Sequence, residues 1–231
     1  MTYVMSDLHG MYDKFIAMLE KIDFSDSDEL FIIGDIIDRG ERPVDILEYV
    51  MDKPNITVLL GNHEVMARDL LSRLATEITE ENINSVDDDF LIELSIYKRN
   101  GGATTMKQLR ALPPVKRKEI IDFIDSLYAY EAIDIGDKTF VLVHAGLGNF
   151  RKDKKISEYA LYELLELRPD YERQYFDDDS VYIVSGHTPT KLISGKWEIY
   201  HSHNNIVIDC GASFGGELAC LRLEDMAEFY V

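Results

Sequence analysis

The sequence predicts an α/β fold in which helices pack against sheets that contain parallel strands. The main observation is an alternation along the first third of the chain. Short β-type runs lie at residues 3–5, 30–33 and 56–60. Between them, segments with apolar residues at helical spacing lie at residues 12–22 and 44–51. Such alternation implies parallel strands with right-handed crossovers. Hydrophobic residues make up 46% of the 231 residues, which is enough for a substantial core.

The next segment, at about residues 76–130, is predicted to be a helical insertion. Residues 77–93 contain seven acidic side chains and no basic ones, and residues 98–118 contain seven basic side chains and no acidic ones. The runs are typical of two solvated helix faces that pair with each other, and the alternative is a cap that steers substrate. Pro113 and Pro114 indicate a break between helices.

After the insertion the β-type runs return, with one helix expected at about residues 156–167. The predicted strands are residues 139–143, 181–185, 206–208 and 218–223. The sequence shows neither an internal repeat nor a low-complexity linker. The simplest organisation is one domain over residues 1–231 that contains the helical insertion.

The composition argues against several classes of protein. There are 24 Lys and Arg residues against 43 Asp and Glu residues, and the net charge of -19 repels nucleic acid and anionic membranes. No apolar stretch approaches the ~20 residues that a membrane span needs. Cys210 and Cys220 fit no redox or zinc motif and are expected to be core thiols. Because no basic leader or apolar signal core is evident, we expect a cytoplasmic protein.

Polar motifs follow five of the predicted strands. They are Asp7-Leu8-His9-Gly10, Gly34-Asp35-Ile36-Ile37-Asp38-Arg39-Gly40, Gly61-Asn62-His63-Glu64, His144-Ala145-Gly146 and Gly186-His187-Thr188. In open α/β sheets ligands bind beyond the carboxyl ends of the strands, so these motifs can converge. Each motif alone has a structural explanation, as a helix cap, a turn or a hydrogen-bonded histidine. Because four of the six histidines lie in the motifs, we interpret the set as a functional site.

The residue types in these motifs suit two adjacent divalent cations. Carboxylate, imidazole and amide oxygen favour manganese, iron or zinc over calcium, and the absence of thiolate argues against a structural zinc site. The predicted ligands are Asp7 and His9 for one cation, Asn62, His144 and His187 for the other, and Asp35 as the carboxylate that bridges them. Two such ions about 3.5–4 Å apart would polarise phosphoryl oxygens and activate a bridging water for in-line attack.

A leaving alkoxide also needs a proton, and His63 is the predicted source. It follows the ligand Asn62 but is not required as a ligand, so it can act as general acid. Asp38 is its expected partner, because a nearby carboxylate favours the imidazolium form. Arg39 can bind the non-bridging phosphate oxygens in a forked contact. With water as nucleophile, no phosphorylated enzyme is required.

The motifs together resemble the signature of the PPP-type serine/threonine phosphatases, a branch of the calcineurin-like metallophosphoesterases. The resemblance spans residues 7–188 and extends to Asn100-Gly101-Gly102 and to residues 208–218. Broader relatives usually end in GHxH, whereas Pro189 favours the PPP branch. The resemblance implies two mixed β-sheets that are sandwiched and flanked by helices. It also implies the site roles given above, manganese as the activating ion, and a contact of Asn62 with the substrate phosphate.

Two positions differ from the protein-phosphatase pattern. These phosphatases usually have arginine before the GNHE glycine, where this chain has Leu60. Leucine there also resembles the related diadenosine tetraphosphate hydrolases. Another family arginine lies in a Trp-x-Arg context, and the segment that ends in Arg168 resembles it, with Glu166 at the tryptophan position. The resemblance therefore implies that Arg168 binds phosphate.

The expected function is hydrolysis of phosphate monoesters, first of all phosphoserine or phosphothreonine in proteins. The chief alternative is cleavage of diadenosine tetraphosphate or a similar dinucleotide by the same chemistry. Leu60 favours this alternative, whereas Glu64 favours the protein phosphatase because the nucleotide branch more often has Asp there. A catalytically inactive binding protein is disfavoured, since no expected ligand or acid is missing.

Overall fold

Two five-stranded β-sheets organise the computed structural model, which describes residues 1–75 and 87–231. The strands are β1 (Thr2–Met5), β2 (Glu29–Ile33), β3 (Ile56–Leu59), β4 (Tyr130–Ile135), β5 (Lys138–Val143), β6 (Val181–Ser185), β7 (Tyr200–Ser202), β8 (Asn205–Val207), β9 (Ala219–Arg222) and β10 (Ala227–Tyr230). The first sheet has the order β10-β9-β1-β2-β3, and the second has the order β4-β5-β6-β8-β7. The C-terminal strands therefore return to the sheet that the N-terminal strands begin.

Both sheets combine parallel and antiparallel pairs. In the first sheet β1, β2 and β3 pair in parallel, and β9 pairs antiparallel with both β1 and β10. In the second sheet β5, β6 and β8 pair in parallel, flanked by antiparallel β4 and β7. The prediction of an α/β fold with two mixed sheets is confirmed. Because parallel strands end at the same edge of a sheet, the segments that follow them share that edge.

Helices connect the N-terminal strands and make up much of the chain between β3 and β4. They are α1 (Tyr12–Lys21), α2 (Pro43–Met51), α3 (Asn62–Ala75), α4 (Asp88–Tyr97), α5 (Ala103–Ala111), α6 (Pro114–Ser126), α7 (Leu161–Leu165) and α8 (Thr190–Ser194). Proline begins α2 and α6, where its missing N–H is not needed. The part of the predicted acidic helix face at residues 77–86 lies outside the described residues. Within the described ranges, no ion pair joins residues 87–93 to the basic run at 98–118.

The core has one part between the sheets and another beneath the helices. Successive residues of a strand point to opposite faces, so Val4 lies between the sheets while Tyr3 and Met5 belong to the outer cluster. The inner cluster draws on both sheets and includes Val4, Ile33, Leu59, Phe140, Leu142, Val184 and Ile206. Phe15 of α1 and Leu47 of α2 contribute to the outer cluster. Burial on both faces explains why the central strands are nearly continuous apolar runs.

The strands β4, β7 and β10 were not predicted from the sequence. All three are edge strands, and none of them contains a fully buried residue. Their polar, half-exposed sequences therefore lack the apolar run that marks the central strands. The helix predicted at residues 156–167 is also shorter than expected. Tyr159 and Ala160 are extended and separate a single turn at Ile156–Glu158 from α7.

Both cysteines are buried thiols, as expected from the sequence. Burial raises the pKa of Cys210 to about 12 and that of Cys220 further, so neither is a reactive thiolate. Among the helices in the described parts of the chain, none has both the length and the apolar character needed to cross a bilayer.

Candidate active site

The five polar motifs meet where β1, β2, β3, β5 and β6 end. Each motif begins within two residues of the end of its strand. Contacts between the motifs cross from one sheet to the other. His144 Nε2 lies 3.4 Å from Asp35 Oδ1, and the backbone N–H of His187 donates to Asp7 Oδ2 at 3.0 Å. The motifs therefore form a single cluster at the seam between the two sheets.

Many residues of this cluster have a left-handed backbone conformation, which residues other than glycine rarely adopt. Ten non-glycine residues of the described chain have a positive φ, and six of them belong to the site: Asp7, His9, Asp35, Asp38, Arg39 and His187. Gly34 also has a positive φ, and a Cβ there would lie 2.6 Å from the Cα of Gly61. Backbone strain of this kind persists where surrounding contacts impose it, and it is concentrated at functional sites.

The three histidines that were predicted as ligands share one orientation. Each uses its outer ring nitrogen to donate to a backbone carbonyl. The pairs are His9 Nδ1 with Ile37 O at 3.0 Å, His144 Nδ1 with Ile33 O at 2.9 Å, and His187 Nε2 with Glu166 O at 3.1 Å. The other nitrogen of each ring then faces the cluster. Metal-binding histidines are typically held in this way, because the outer hydrogen bond sets the tautomer and aims the lone pair.

Asp35 lies between the two halves of the cluster. Its Oδ2 is 3.5 Å from His9 Nε2, and its Oδ1 is 3.4 Å from His144 Nε2. Oδ1 also accepts the backbone N–H of His63 at 3.0 Å, which holds the carboxylate in place. One oxygen therefore faces each half, which is the arrangement that a bridging carboxylate requires.

Asp7 and Asn62 complete the two halves. Asp7 Oδ1 lies 3.9 Å from His9 Nε2, and Asn62 Oδ1 lies 3.0 Å from both His144 Nε2 and His187 Nδ1. Inward-facing imidazole nitrogens, carboxylate oxygens and an amide oxygen thus converge without a thiolate, a donor set that fits two cations of the manganese, iron or zinc type. The assignment of each ligand to a cation remains a prediction that this geometry accommodates.

Burial and mutual charge set the protonation of these ligands. Burial lowers the pKa of His9 to about 3, and burial together with the charge of His144 lowers the pKa of His187 to about 4. Burial also acts to lower the pKa of His144, but the Asp35 and Asp7 carboxylates outweigh it and raise the pKa to about 10. A cation that binds His144 must therefore displace a proton, so metal binding is coupled to proton release.

Glu64 has a structural task in the site that the sequence did not reveal. Its two carboxylate oxygens accept backbone N–H groups from the turns after β2 and β3. The donors are Asp35 and Gly61 on Oε2, at 2.8 and 2.9 Å, and Ile36 and Ile37 on Oε1, at 3.0 and 3.4 Å. Burial and the Asp35 charge raise the pKa of Glu64 to about 7. Glu64 therefore joins the turn that carries Asp35 to the start of α3.

His63 differs from the other three histidines of the cluster in the partner of its Nδ1. That nitrogen donates to a carboxylate oxygen, Asp38 Oδ2, at 2.7 Å. Burial lowers the pKa of His63, but the Asp35 and Asp38 carboxylates outweigh it and raise the pKa overall. His63 Nε2 lies 3.9 Å from Asp35 Oδ2, so distance alone would admit a ligand as well as an acid. The carboxylate partner on Nδ1 favours the role of proton donor at Nε2.

The Arg39 guanidinium lies between two rings of the cluster. Nη1 donates to His9 Nε2 at 2.8 Å, and Nη2 lies 3.1 Å from His63 Nε2. The guanidinium carbon also lies 4.7 Å from the centroid of the Phe214 ring. Its planar fork therefore faces the nitrogens that a cation and a leaving group would use. This position suits a forked contact with phosphate, which would replace the contacts to the two rings.

Arg168 is exposed near the opposite half of the cluster. It lies two residues after Glu166, whose backbone carbonyl accepts His187 Nε2, and besides burial its positive charge acts to lower the pKa of His187. Within residues 1–75 and 87–231, no carboxylate forms an ion pair with it. The side chain is thus free to bind an anion, and its phosphate-binding role remains a prediction.

Three further residues of the site were not singled out from the sequence. Tyr97 and Thr105 donate hydrogen bonds to Asp38, and no local pattern marks either of them. Asp209 is buried beside the cluster and accepts the backbone N–H of Gly211 at 2.9 Å. Burial and the Asp7 charge raise the pKa of Asp209 well above its usual range. Asp209 lies in the segment at residues 208–218 that resembles the family, so the sequence carries a signal for this residue alone.

Known proteins resemble this chain in sequence and in fold. A bis(5'-nucleosyl)-tetraphosphatase PrpE, of the asymmetrical type, from Geobacillus thermodenitrificans is 27% identical, and the match covers 96% of this chain and 90% of the relative. A crystal structure of a protein proposed to be a diadenosine tetraphosphatase superposes with a TM-score of 0.67 at 15% identity, covering 100% of this chain and 92% of the other. A protein serine/threonine phosphatase from Saccharomyces cerevisiae superposes with a TM-score of 0.58 at 15% identity, covering 100% and 78%.

The two solved structures support the fold alone, because their sequence identity is low. The calcineurin-like phosphoesterase family, in contrast, matches residues 2–224, which is nearly the whole chain. Strands β1 to β9 and all five strand-end motifs fall within that range. The chain therefore belongs to the calcineurin-like phosphoesterase family.

Proposed function

We propose that this phosphoesterase hydrolyses dinucleoside polyphosphates, such as diadenosine tetraphosphate, and cleaves them asymmetrically into two different nucleotides. The observation that carries the proposal is the match to an asymmetrical bis(5'-nucleosyl)-tetraphosphatase along 96% of the chain. The fold family supports phosphoester hydrolysis, and this relative supports the class of substrate. The proposal favours the alternative from the sequence over the first expectation of a protein phosphatase.

Leu60 supports the same choice. Protein phosphatases of the resembling branch usually have a phosphate-binding arginine at this position. Here the leucine side chain is buried in the core with 2% of its surface exposed, and its backbone N–H donates to Tyr128 O at 2.9 Å. The position therefore contributes to packing, and Arg39 and Arg168 remain the predicted phosphate-binding arginines.

Glu64, which favoured a protein phosphatase in the sequence, does not separate the two substrates. Its carboxylate is occupied by backbone N–H groups of residues 35, 36, 37 and 61. A residue with this task is needed whichever phosphoester binds. The remaining evidence for a phosphoprotein substrate is the general resemblance of the motifs.

In the proposed reaction, water attacks one phosphorus atom and the bond from that phosphorus to a bridging oxygen breaks. Divalent cations held by the predicted ligands would supply Lewis-acid activation of the phosphoryl oxygens. Arg39 and Arg168 hold the non-bridging oxygens, and Asp38 keeps His63 oriented with Nε2 toward the departing oxygen. His63 donates its proton to that oxygen and regains one from the proton that the attacking water releases, so one water molecule is divided between the two products. A polyphosphate leaving group is a weaker base than an alkoxide and therefore demands less of the acid.

The test compares kcat/KM for diadenosine tetraphosphate and for a phosphothreonine peptide, with manganese-loaded protein. We expect kcat/KM to be at least roughly 100-fold higher for the dinucleotide, with adenosine mono- and triphosphate as products. The Asp35→Asn variant serves as the control, because an activity that survives loss of the predicted bridging carboxylate unchanged would come from a contaminant. A higher kcat/KM for the peptide would contradict the proposal and restore the protein-phosphatase assignment.

A further inference from the structure

The buried carboxylate of Asp38 is held by two hydroxyl groups from the helical region between β3 and β4. Tyr97 Oη donates to Asp38 Oδ1 at 2.7 Å, and Thr105 Oγ1 donates to the same oxygen at 2.6 Å. Thr105 Oγ1 also accepts the backbone N–H of Asp38 at 3.0 Å. Oδ2 is left for His63 Nδ1, at 2.7 Å. At most 1% of the surface of each of these four residues is exposed.

The backbone between α4 and α5 is shaped to deliver both hydroxyls. Tyr97 ends α4 and Thr105 lies in the first turn of α5, with a wide helical turn at Lys98–Gly102 between them. Within that turn Gly101 has a φ of 105°, and its carbonyl accepts the backbone N–H of Arg39 at 3.1 Å. Gly102 packs on the phenol ring, since a Cβ there would lie 2.4 Å from Tyr97 Cε1. The turn thus contacts the Asp38-Arg39 segment through both backbone and side chains.

The hydrogen-bond pattern leaves Asp38 a single orientation. The Thr105 oxygen accepts the Asp38 N–H, so its one hydrogen is directed to Oδ1. Burial raises the pKa of Tyr97, and the Asp38 charge adds to this effect, so the phenol remains a neutral donor. Hydrogen bonds to a buried carboxylate are strong, and the Asp38 carboxylate would reorient if Oδ1 lost its two donors. Oδ2 is therefore kept on the line to His63 Nδ1.

We propose that Tyr97 and Thr105 are positioning residues of the reaction, which hold Asp38 in its hydrogen bond to His63 Nδ1 so that the ring presents Nε2 to the leaving oxygen. The helical region thereby completes the proton donor, a task different from both roles that the sequence suggested for it. This proposal rests on the general-acid role of His63, and it is independent of whether the substrate is a dinucleotide or a phosphoprotein.

The test uses the variants Tyr97→Phe and Thr105→Val with a series of aryl phosphates. A displaced acid matters most for leaving groups that need a proton. We expect kcat to fall about tenfold for phenyl phosphate and less than about threefold for p-nitrophenyl phosphate, with KM unchanged. Thr105→Ser, which keeps the hydroxyl, should retain the original dependence. Tyr230→Phe, which removes a phenol oxygen on the edge strand β10, should leave kcat unchanged for every ester.

A double variant shows whether the effect passes through His63. In a His63→Asn background, Tyr97→Phe should change kcat for phenyl phosphate by less than about twofold, because the acid it positions is already absent. Equal losses in both backgrounds would overturn the proposal and leave Tyr97 as a stabilising residue only.

Proton NMR supplies a readout that needs no turnover. The Nδ1 proton of His63 should give a low-field signal that disappears in His63→Asn and shifts in Tyr97→Phe and Thr105→Val. A signal unchanged in both hydroxyl variants would overturn the proposal. If His63→Asn reduces kcat equally for phenyl phosphate and p-nitrophenyl phosphate, the general-acid role of His63 is what fails. A low kcat/KM for the dinucleotide, by contrast, contradicts only the proposed substrate.

Discussion

The chemistry of each histidine in the cluster depends on what its other ring nitrogen contacts. His9, His144 and His187 donate to backbone carbonyls, and His63 donates to the Asp38 carboxylate. A carbonyl acceptor sets the orientation of the ring, whereas a carboxylate acceptor also stabilises the charged form of the ring. The four side chains are chemically identical, so this difference of partner separates predicted ligands from the predicted acid.

Replacing His63 with Asn should therefore reduce turnover without removing the cations. We expect kcat for an alkyl or phenyl phosphate to fall by roughly 10²–10⁴, the usual contribution of general-acid catalysis. Metal content, measured by elemental analysis, should be unchanged. His201→Asn is the matched control, because His201 lies on β7 and is paired with Glu228 at 2.7 Å. Loss of metal from His63→Asn would instead make His63 a ligand.

Arg168 allows a prediction of a different kind. Its side chain is exposed and has no carboxylate partner in the described chain. Removing it in Arg168→Ala should raise KM for phosphoesters about tenfold with little change in kcat, as expected for a contact made equally in the ground state and the transition state. Arg173→Ala, an arginine whose guanidinium lies over the rings of Phe150 and Tyr175, is the control. An unchanged KM would mean that Arg168 does not bind the phosphate of the substrate.

Among the elements, α7 shows how a short helix supports the site. Glu163 accepts the Lys154 ammonium at 2.6 Å, the Ala160 backbone N–H at 2.9 Å and the Asn149 amide at 3.2 Å. Its backbone carbonyl accepts the N–H of Gly148 at 2.9 Å. These contacts join the loop that follows His144 to the helix that precedes Glu166 and Arg168. The loop and the helix therefore depend on one carboxylate.

The Glu163 contacts predict a dependence of stability on pH. Hydrogen bonding to Lys154 and to the Ala160 backbone lowers the pKa of Glu163 to about 2, from an ordinary value of 4.5. Because the folded value is the lower one, its stabilisation is fully present above pH 4.5 and is lost as the pH falls through about 2. Glu163→Gln should lower the free energy of unfolding at pH 7, and the difference from the parent should shrink toward pH 3. Urea unfolding with Glu20→Gln as the exposed control checks this, and a constant difference would contradict it.

For the whole molecule, the important feature is that the cluster joins two sheets. Asp7, His9, Asp35 and Asn62 follow strands of the first sheet, and His144 and His187 follow strands of the second. Cations bound by this set would link both sheets, and a ligand that binds only the folded state stabilises it by mass action. Metal binding should therefore be visible in the stability of the entire fold.

Addition of manganese at 100 times its dissociation constant should stabilise the protein by about 2.7 kcal/mol for each cation bound, and each such contribution raises Tm by roughly 5–10 °C for a chain of this size. A chelator should reverse the shift. Asp35→Asn should abolish most of it, while His201→Asn should preserve it. Calorimetry or thermal unfolding followed by circular dichroism measures these shifts. An equal shift in Asp35→Asn would contradict the bridging role of Asp35.

The sequence by itself determined the α/β class, the central strands and the motif residues that gather at their ends. These features are local, because apolar periodicity and side-chain chemistry can be read within one segment. Only the tertiary structure showed the edge strands β4, β7 and β10, which are too polar to be recognised until they pair. It also showed which atoms hold each site residue. Asp38 meets Tyr97 and Thr105 across 59 and 67 residues, and His144 meets Ile33 across 111. Such partners are chosen by packing between distant segments, and no local pattern encodes them.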